Sequence, residues 1–224
     1  MRSVVPAQGI TKTTIDWLRR HARLLTLVTV LLAGIPQYVH AYTISQRGVS
    51  EVPTILAGDT ILVNHAAYAV RLPYSKVQVF RTGVPQRGDM VLVALPTGGV
   101  APKRVMAIPG DTIEVRDNRL IVNGASVPVI RLNRSAFEWV PAADRLGSVV
   151  VNELGHWVTY TPGRGAHRNH PPTHIENEEF FLLGDNRDES ADSRTWGPLS
   201  ANRILGKVLA VLATGPRESA TRSR

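Results

Sequence analysis

Beyond residue 45, apolar and polar positions alternate in short blocks along most of the chain. Short runs rich in Val, Ile and Leu are separated by Gly, Pro, Asp and Asn, a pattern typical of strands joined by tight turns. The predicted strands are residues 60–63, 90–95, 104–108, 112–115, 120–122, 149–151, 157–160, 180–183 and 204–212. Asp117-Asn118 suits the turn of a hairpin between two of them. The pattern predicts a mainly β, antiparallel fold.

A different pattern covers the N-terminal region. Residues 24–44 contain no Asp, Glu, Lys or Arg, and Arg19, Arg20 and Arg23 precede them. The segment has the length of about 20 residues that a bilayer-spanning helix needs. By the positive-inside rule, residues 1–23 stay cytoplasmic and the chain after the helix is translocated. The alternative is a cleavable signal peptide cut after Ala41, since the strictly apolar core is short.

Composition narrows the classes of partner. The chain has 224 residues, no cysteine and a net charge of +8, with a pI near 10.4. The absence of cysteine excludes disulfides and thiolate chemistry. The positive charge favours an acidic partner, but the arginines are spread widely and aromatic residues are few, so we expect membrane lipid and no nucleic acid.

One polar loop, residues 184–197, directly follows the apolar residues 179–183. A loop held at the end of a buried strand is a common location for a functional site. The same residue types also form solvated turns or cation-binding loops, so the loop alone leaves these alternatives open. His167, His170 and His174 lie nearby in sequence, but no carboxylate at ligand spacing accompanies them, and a basic loop is favoured over a zinc site.

Two further segments make the pattern specific. Ser50 stands three residues before Pro53-Thr54, and Lys103-Arg104 opens an apolar stretch that ends in Pro109-Gly110-Asp111. Together with the box from Gly184 to Arg194, these segments occur in the order found in type I signal peptidases, the bacterial leader peptidases. The chain resembles that family over about residues 44–124 and 178–214.

The chemistry of these segments can also be argued from the residues. A serine hydroxyl needs a neighbouring base, and every histidine lies outside the three segments. A lysine serves as the base when its pKa falls well below the usual value of about 10.4. In an extended strand Lys103 shares a face with Val105 and Ala107, so we expect apolar surroundings for its amine. Arg104 then points the other way, to solvent or to a carboxylate.

The resemblance implies roles for individual residues. Ser50 is the expected nucleophile and Lys103 the general base, as in other Ser-Lys dyads. Ser190 is expected to hydrogen-bond the lysine amine, while Asp192 and Arg194 pair with each other and brace the site. By position, we expect the lining of the substrate site to include Gly48, Ile55 and Pro102.

Two departures from the family pattern lie beside the nucleophile. Glu51 replaces the usual methionine, which places a negative charge next to the attacking hydroxyl. Gly48 stands where many proteobacterial members supply a hydroxyl that stabilises the oxyanion. Both departures bear on rate and substrate range. The resemblance implies neither a metal nor an organic cofactor.

The function implied is that of a membrane-anchored serine endopeptidase that removes signal peptides from exported preproteins. Its catalytic domain, residues 45–214, lies outside the cytoplasmic membrane of a bacterium, on the periplasmic side where there is one. The fold implied is an antiparallel β-sheet with a smaller β lobe inserted at about residues 125–178, and residues 215–224 form a disordered tail. The oligomeric state stays open.

Two alternatives accompany this interpretation. The first is a specialised relative that matures one conjugation or pilus subunit, which the changes at Glu51 and Gly48 permit. The second belongs to another class, a noncatalytic membrane-tethered β domain whose Asp-rich loop binds a cation.

Overall fold

The computed structural model describes residues 17, 20–22, 24, 26, 39–43, 49–71, 78–132, 149–160 and 167–212. The chain divides into two compact units, Met1–Tyr38 and Val39–Arg224. The described residues of the first unit are helical. The second unit carries the strands and all the described site residues, so the fold below is that of this unit.

Among the described residues of this unit, strands β1 to β16 run in chain order, with a short helix, α1, and a 3₁₀ turn between the last strands. The strands are Val39–Thr43, Thr60–Asn64, Ala69–Arg71, Gln78–Arg81, Met90–Ala94, Val100–Ala107, Thr112–Arg116, Arg119–Val122, Ala125–Ser126, Val129–Arg131, Val149–Glu153, His156–Tyr160, His170–His174, Glu179–Leu183, Leu199–Ser200 and Ile204–Leu212. Helix α1 is Ser193–Trp196 and the 3₁₀ turn is Ala201–Arg203.

A seven-stranded sheet, in the order β1-β2-β16-β5-β6-β14-β15, forms the centre of this unit. Its strand pairs are antiparallel, which confirms the predicted fold class. The central strand β5 is buried along most of its length, whereas β2 alternates buried and half-buried positions. Strands with two covered faces read as continuous apolar runs, and strands with one covered face alternate. The sequence shows both patterns where the structure requires them.

Apolar side chains on both faces of this sheet form the core. One cluster includes Ile55, Ile61 and Leu92, and another joins Val91 and Val105 to Phe180. A third cluster connects the main sheet to the small sheet β13-β7-β8-β9. Strands β5, β6 and β14 contribute to this packing, so the segments that carry the predicted site residues start from rigid elements.

The hairpin between β7 and β8 turns at Asp117 and Asn118, as predicted. Both residues have positive φ, 46° and 62°. Two-residue hairpin turns of this type need positive φ at both central positions, and Asn and Asp tolerate that conformation best among residues with a side chain. The local sequence therefore determined this turn.

The predicted membrane segment, residues 24–44, is wrong at its C-terminal end. Val39–Thr43 forms strand β1 and pairs with β2 over its whole length, from Val39 opposite Asn64 to Thr43 opposite Thr60. Hydrogen bonds to β2 satisfy a backbone that a helix would otherwise satisfy internally. In the part of the chain that the structure describes, no helix is both long and apolar enough to cross a bilayer.

The predicted insertion, residues 125–178, is less separate than expected. Strands β10, β11 and β12 form a three-stranded sheet of their own, but β9 and β13 at its two ends join β7 and β8. His170–His174, predicted as part of a basic loop, is strand β13 and pairs with β7. Pairing with a distant strand overrode a local sequence rich in Pro and His. The predicted tail, residues 215–224, lies outside the described residues.

Candidate active site

Ser50 and Lys103 meet in the structure although 53 positions separate them. Ser50 begins a turn that leads to β2, and Lys103 lies in β6. Lys103 Nζ donates a hydrogen bond to Ser50 Oγ over 2.8 Å. The lysine is 2% exposed, while the serine is half-buried. A nucleophile and a base within hydrogen-bond reach, one buried and the other accessible, have the geometry of an activated serine.

Glu51 is the third member of this group, and its contact with Lys103 was not predicted. Its Oε1 accepts hydrogen bonds from Lys103 Nζ over 2.7 Å and from Ser50 Oγ over 3.1 Å. The Glu51 and Lys103 side chains form an ion pair in which each is 2% exposed. The expectation of purely apolar surroundings for the lysine amine is therefore wrong. The sequence shows that residue 51 is unusual, but it does not show where the Glu51 side chain points.

Arg104 points away from Lys103, as alternation along a strand requires, and binds a carboxylate and not solvent. Its guanidinium makes two hydrogen bonds to Asp185, of 2.7 and 2.6 Å, and a third to the carbonyl of Gly88. Thr54 also donates to Asp185. A buried bidentate pair of this kind fixes geometry as well as charge. It connects β6 to the loop after β14, and thereby connects Lys103 to that loop.

Asn186 holds the backbone of the nucleophile, a role that sequence reasoning did not assign. Its amide N–H donates to the carbonyl of Ser50 over 2.9 Å, and its side-chain Nδ2 donates to the carbonyl of Val49 over 3.1 Å. The preceding residue, Asp185, donates its N–H to Glu51 Oε2 over 3.3 Å. Backbone and side-chain donors of the 184–197 loop therefore position both Ser50 and Glu51.

Asp192 and Arg194 form a buried ion pair inside the same loop. Arg194 donates to both carboxylate oxygens of Asp192, each over 2.8 Å, and both side chains are 0% exposed. Asp192 also caps α1 and accepts from the N–H of Gly184. Burial alone would raise the pKa of Asp192, but the hydrogen bonds and charge of Arg194 hold it below its usual range. The pair fixes the shape of the loop without touching Lys103.

Ser190 does not form the predicted hydrogen bond to Lys103. Among the contacts of the described residues, none connects these two side chains, and the buried Ser190 hydroxyl has no hydrogen-bond partner there. Ser190 is buried and lies against Gly184. The remaining predicted residues also differ in placement. Ile55 is 0% exposed in the core and Pro102 is buried in β6, so neither offers open surface here, and Gly48 lies outside the described residues.

Gly184 is required by close approach, and this gives a first prediction. A Cβ at this position would lie 2.5 Å from the carbonyl oxygen of Ser50 and closer still to Ser190 Oγ. Gly184→Ala is expected to push the Ser50 backbone aside and to lower activity per folded molecule by about 100-fold, since a displacement of 1 Å has that effect. Peptide cleavage and circular dichroism would measure the two quantities.

Gly124→Ala is the matched control for this substitution. Gly124 has a φ of 78° and open space around its Cβ position, so the variant suffers backbone strain of about 1–2 kcal/mol without any steric contact. It should unfold more easily and yet keep normal activity per folded molecule. Full activity in Gly184→Ala would contradict the crowding argument.

A half-buried serine within hydrogen-bond reach of a buried lysine is the nucleophile–base geometry of serine hydrolases that use a lysine base. The comparison with known families agrees with this class. The family model "Signal peptidase, peptidase S26" matches residues 17–213, and the chain belongs to that family.

Individual relatives share about a third of the aligned residues with this chain. The chain is 34% identical over 184 residues to a signal peptidase I from Pseudomonas aeruginosa and 32% identical over 183 residues to one from Pseudomonas fluorescens. Each match covers 73% of this chain and 62% of the relative, so the matched part spans about three fifths of those proteins. A crystal structure of a signal peptidase I from Enterococcus faecalis matches 57% of this chain and 98% of its own chain, with 27% identity and a TM-score of 0.36.

Proposed function

We propose that this protein is a serine endopeptidase that removes signal peptides from exported preproteins. The observation that carries the proposal is the 2.8 Å contact between Lys103 Nζ and Ser50 Oγ, in a chain that belongs to the signal peptidase family. The geometry supports Ser50 as the nucleophile and Lys103 as the base. No other serine of the described residues has a comparable contact with a lysine amine.

The reaction follows from this pair. Once Lys103 is a neutral amine, it takes the hydroxyl proton of Ser50 while Oγ bonds to the scissile carbonyl carbon. The resulting ammonium then gives a proton to the leaving amine nitrogen as the C–N bond breaks. Water attacks the acyl ester with Lys103 again as base, and this releases the carboxylate product and restores the serine.

The sheet offers a place for an extended substrate. Strand β6 pairs with β5 from Val100 to Arg104, but β14 pairs only with the later part of β6, from Arg104 to Ala107. On that second side, residues 100–103 have no partner strand among the described residues. A peptide added as a strand there would align its backbone with the residue that carries the base. We therefore propose this edge, at Val100 and Ala101 where β6 is not buried, and not Ile55, as the principal substrate contact.

Two features disfavour the cation-binding alternative. The carboxylates of Asp185 and Asp192 are each engaged by a guanidinium group, from Arg104 and Arg194. Within the described part of the chain, no group of three or more His, Asp or Glu side chains is arranged to hold a metal ion. A loop whose carboxylates already have cationic partners is better suited to bracing than to cation binding.

We also propose that the N-terminal region anchors the protein in the cytoplasmic membrane with the catalytic unit outside, and that membrane lipid is a partner. Support comes from the charge-free residues 24–38 and from Arg19, Arg20 and Arg23 before them. Retention in the membrane fraction after a high-salt wash, with an intact N-terminus, tests this. A mature N-terminus at Tyr42 would instead establish a cleaved signal peptide.

Cleavage of a preprotein tests the proposed activity directly. The purified protein in detergent is expected to cut a secretory preprotein once, after a small residue at the end of its signal peptide, as located by mass spectrometry. Ser126→Ala, which changes an exposed serine in β9, should cut as fast as the wild type. An intact preprotein at every pH tested would refute the proposal.

A further inference from the structure

Glu51 lies at the centre of the Ser50–Lys103 contact and is almost fully buried, at 2% exposure. Three donors converge on its carboxylate. Lys103 Nζ and Ser50 Oγ share Oε1, at 2.7 and 3.1 Å, and the N–H of Asp185 reaches Oε2 over 3.3 Å. A carboxylate with this set of partners is fixed in place and touches both members of the dyad.

Lys103 is the basic side chain that compensates the negative charge of Glu51. Arg104 also comes from β6, but it is committed to Asp185 by two hydrogen bonds. Burial raises the pKa of Glu51, and the positive charge of Lys103 lowers it. Of the smaller effects, the charge of Asp185 raises this pKa and the charge of Arg104 lowers it. The net pKa of Glu51 is about 7. Lys103 Nζ lies 2.7 Å from Glu51 Oε1, a distance at which a positive charge strongly stabilises an anionic carboxylate.

An ammonium on Lys103 can donate to Ser50 Oγ and Glu51 Oε1 at once, and that protonated arrangement is a resting form. Lys103 donates both to Ser50 Oγ and to Glu51 Oε1, and the Ser50 hydroxyl donates to Glu51 as well. An amine that donates to Oγ cannot take a proton from it, because a neutral amine has one lone pair, which must face the hydroxyl. If Glu51 held the proton and donated it to Nζ, the same lone pair would be occupied. The reactive form therefore needs a neutral Lys103 whose lone pair is not occupied by a proton from Glu51.

We propose that Glu51 is a positioning residue that holds the Ser50–Lys103 pair in a protonated resting form and so restricts cleavage to higher pH. This rests on the proposed function. The ammonium of Lys103 must first lose a proton to solvent. The hydroxyl proton of Ser50 then moves to Nζ as the Oγ–C bond forms, and Glu51 again stabilises the ammonium until it protonates the leaving amine.

The test is the pH profile of kcat/KM for a soluble signal-peptide substrate, compared between wild type and Glu51→Gln. Gln keeps the size of the side chain and one oxygen acceptor, which can face either Lys103 or the N–H of Asp185, but it removes the charge. We expect the rising limb of the profile to move to lower pH by about 1–3 units, the effect of removing one close opposite charge. At the foot of the wild-type limb the variant should then be at least about ten times faster.

Two variants serve as controls. Glu51→Asp keeps the charge and should leave the limb close to its wild-type position. Glu178→Gln removes a carboxylate from an exposed pair with Arg81 and should leave the whole profile unchanged. A limb that stays in place in active Glu51→Gln would overturn the proposal. Loss of activity at every pH in a folded Glu51→Gln would also overturn it, because Glu51 would then be needed for the reaction itself.

A measurement on the wild type does not depend on how any variant folds. The ¹³Cε chemical shift of Lys103 reports whether its amine is charged, and we expect a charged amine at pH 7 without substrate. A neutral amine at pH 7 would overturn the inference about Glu51. Absence of cleavage by wild type at any pH would refute the proposed function, and the chemical shift would still decide the charge of Lys103.

Discussion

Replacing Ser50 or Lys103 by Ala is expected to reduce turnover about 10³- to 10⁶-fold, with an intact fold, and the double variant should be no slower than the slower single variant. The two side chains form one nucleophile–base unit, so removal of either disables both, and such losses are not additive. Lys103→Arg should be equally inactive because a guanidinium does not give up its proton at accessible pH. Single-turnover cleavage of a preprotein, with circular dichroism to verify folding, measures the effect.

Lys207→Ala is the matched control for Lys103. Lys207 is 40% exposed and pairs with Asp89, and its loss should leave cleavage within about twofold of wild type. Near-normal turnover in Lys103→Ala would show that Lys103 is not the base. The result would then favour the carboxylate of Glu51, which also reaches Ser50 Oγ.

The largest expected effect on stability belongs to Asp192→Asn. The change leaves the guanidinium of Arg194 fully buried without its anion, and removing one member of such a pair typically costs about 3–5 kcal/mol. Because Asp192 also caps α1 and binds the N–H of Gly184, the loop should loosen close to Ser50. Urea unfolding at pH 7 measures the free energy of unfolding, and peptide cleavage measures the effect on the site.

The lowered pKa of Asp192 determines how the effect of Asp192→Asn on stability changes with pH. The pKa of Asp192 in the folded protein lies below the ordinary aspartate value of 3.8, so the folded state binds that proton less readily than the unfolded state does. Its contribution to stability is therefore fully present above about pH 4 and is lost as the pH falls through the lowered pKa. The difference in the free energy of unfolding between wild type and Asp192→Asn should therefore become smaller at acidic pH. Glu178→Gln, which breaks an exposed pair, should change little at either pH.

The sequence by itself determined nine of the sixteen described strands, one turn and the order of the segments that make up the site. Apolar runs bounded by Gly, Pro, Asp and Asn predicted five of the seven strands of the main sheet, β2, β5, β6, β14 and β16, because strands covered by packed side chains need apolar residues. Asp117-Asn118 predicted a hairpin because few residues tolerate positive φ at two successive positions. The order of the Ser50, Lys103 and 184–197 segments predicted the Ser50–Lys103 contact through the resemblance.

Only the tertiary structure decided which side chains touch within that group. Alternation along β6 predicted that Lys103 and Arg104 face opposite ways, but it could not reveal that Arg104 meets Asp185 and that Lys103 meets Glu51. Strand β1 was missed because Val39–Thr43 reads equally well as the end of an apolar helix, and β2 decides the matter by supplying backbone partners. Contacts between residues far apart in sequence depend on register and packing, which a local pattern does not contain. The Glu51 carboxylate is the clearest case, because its position next to Ser50 was visible in the sequence, while its contact with Lys103 required the fold.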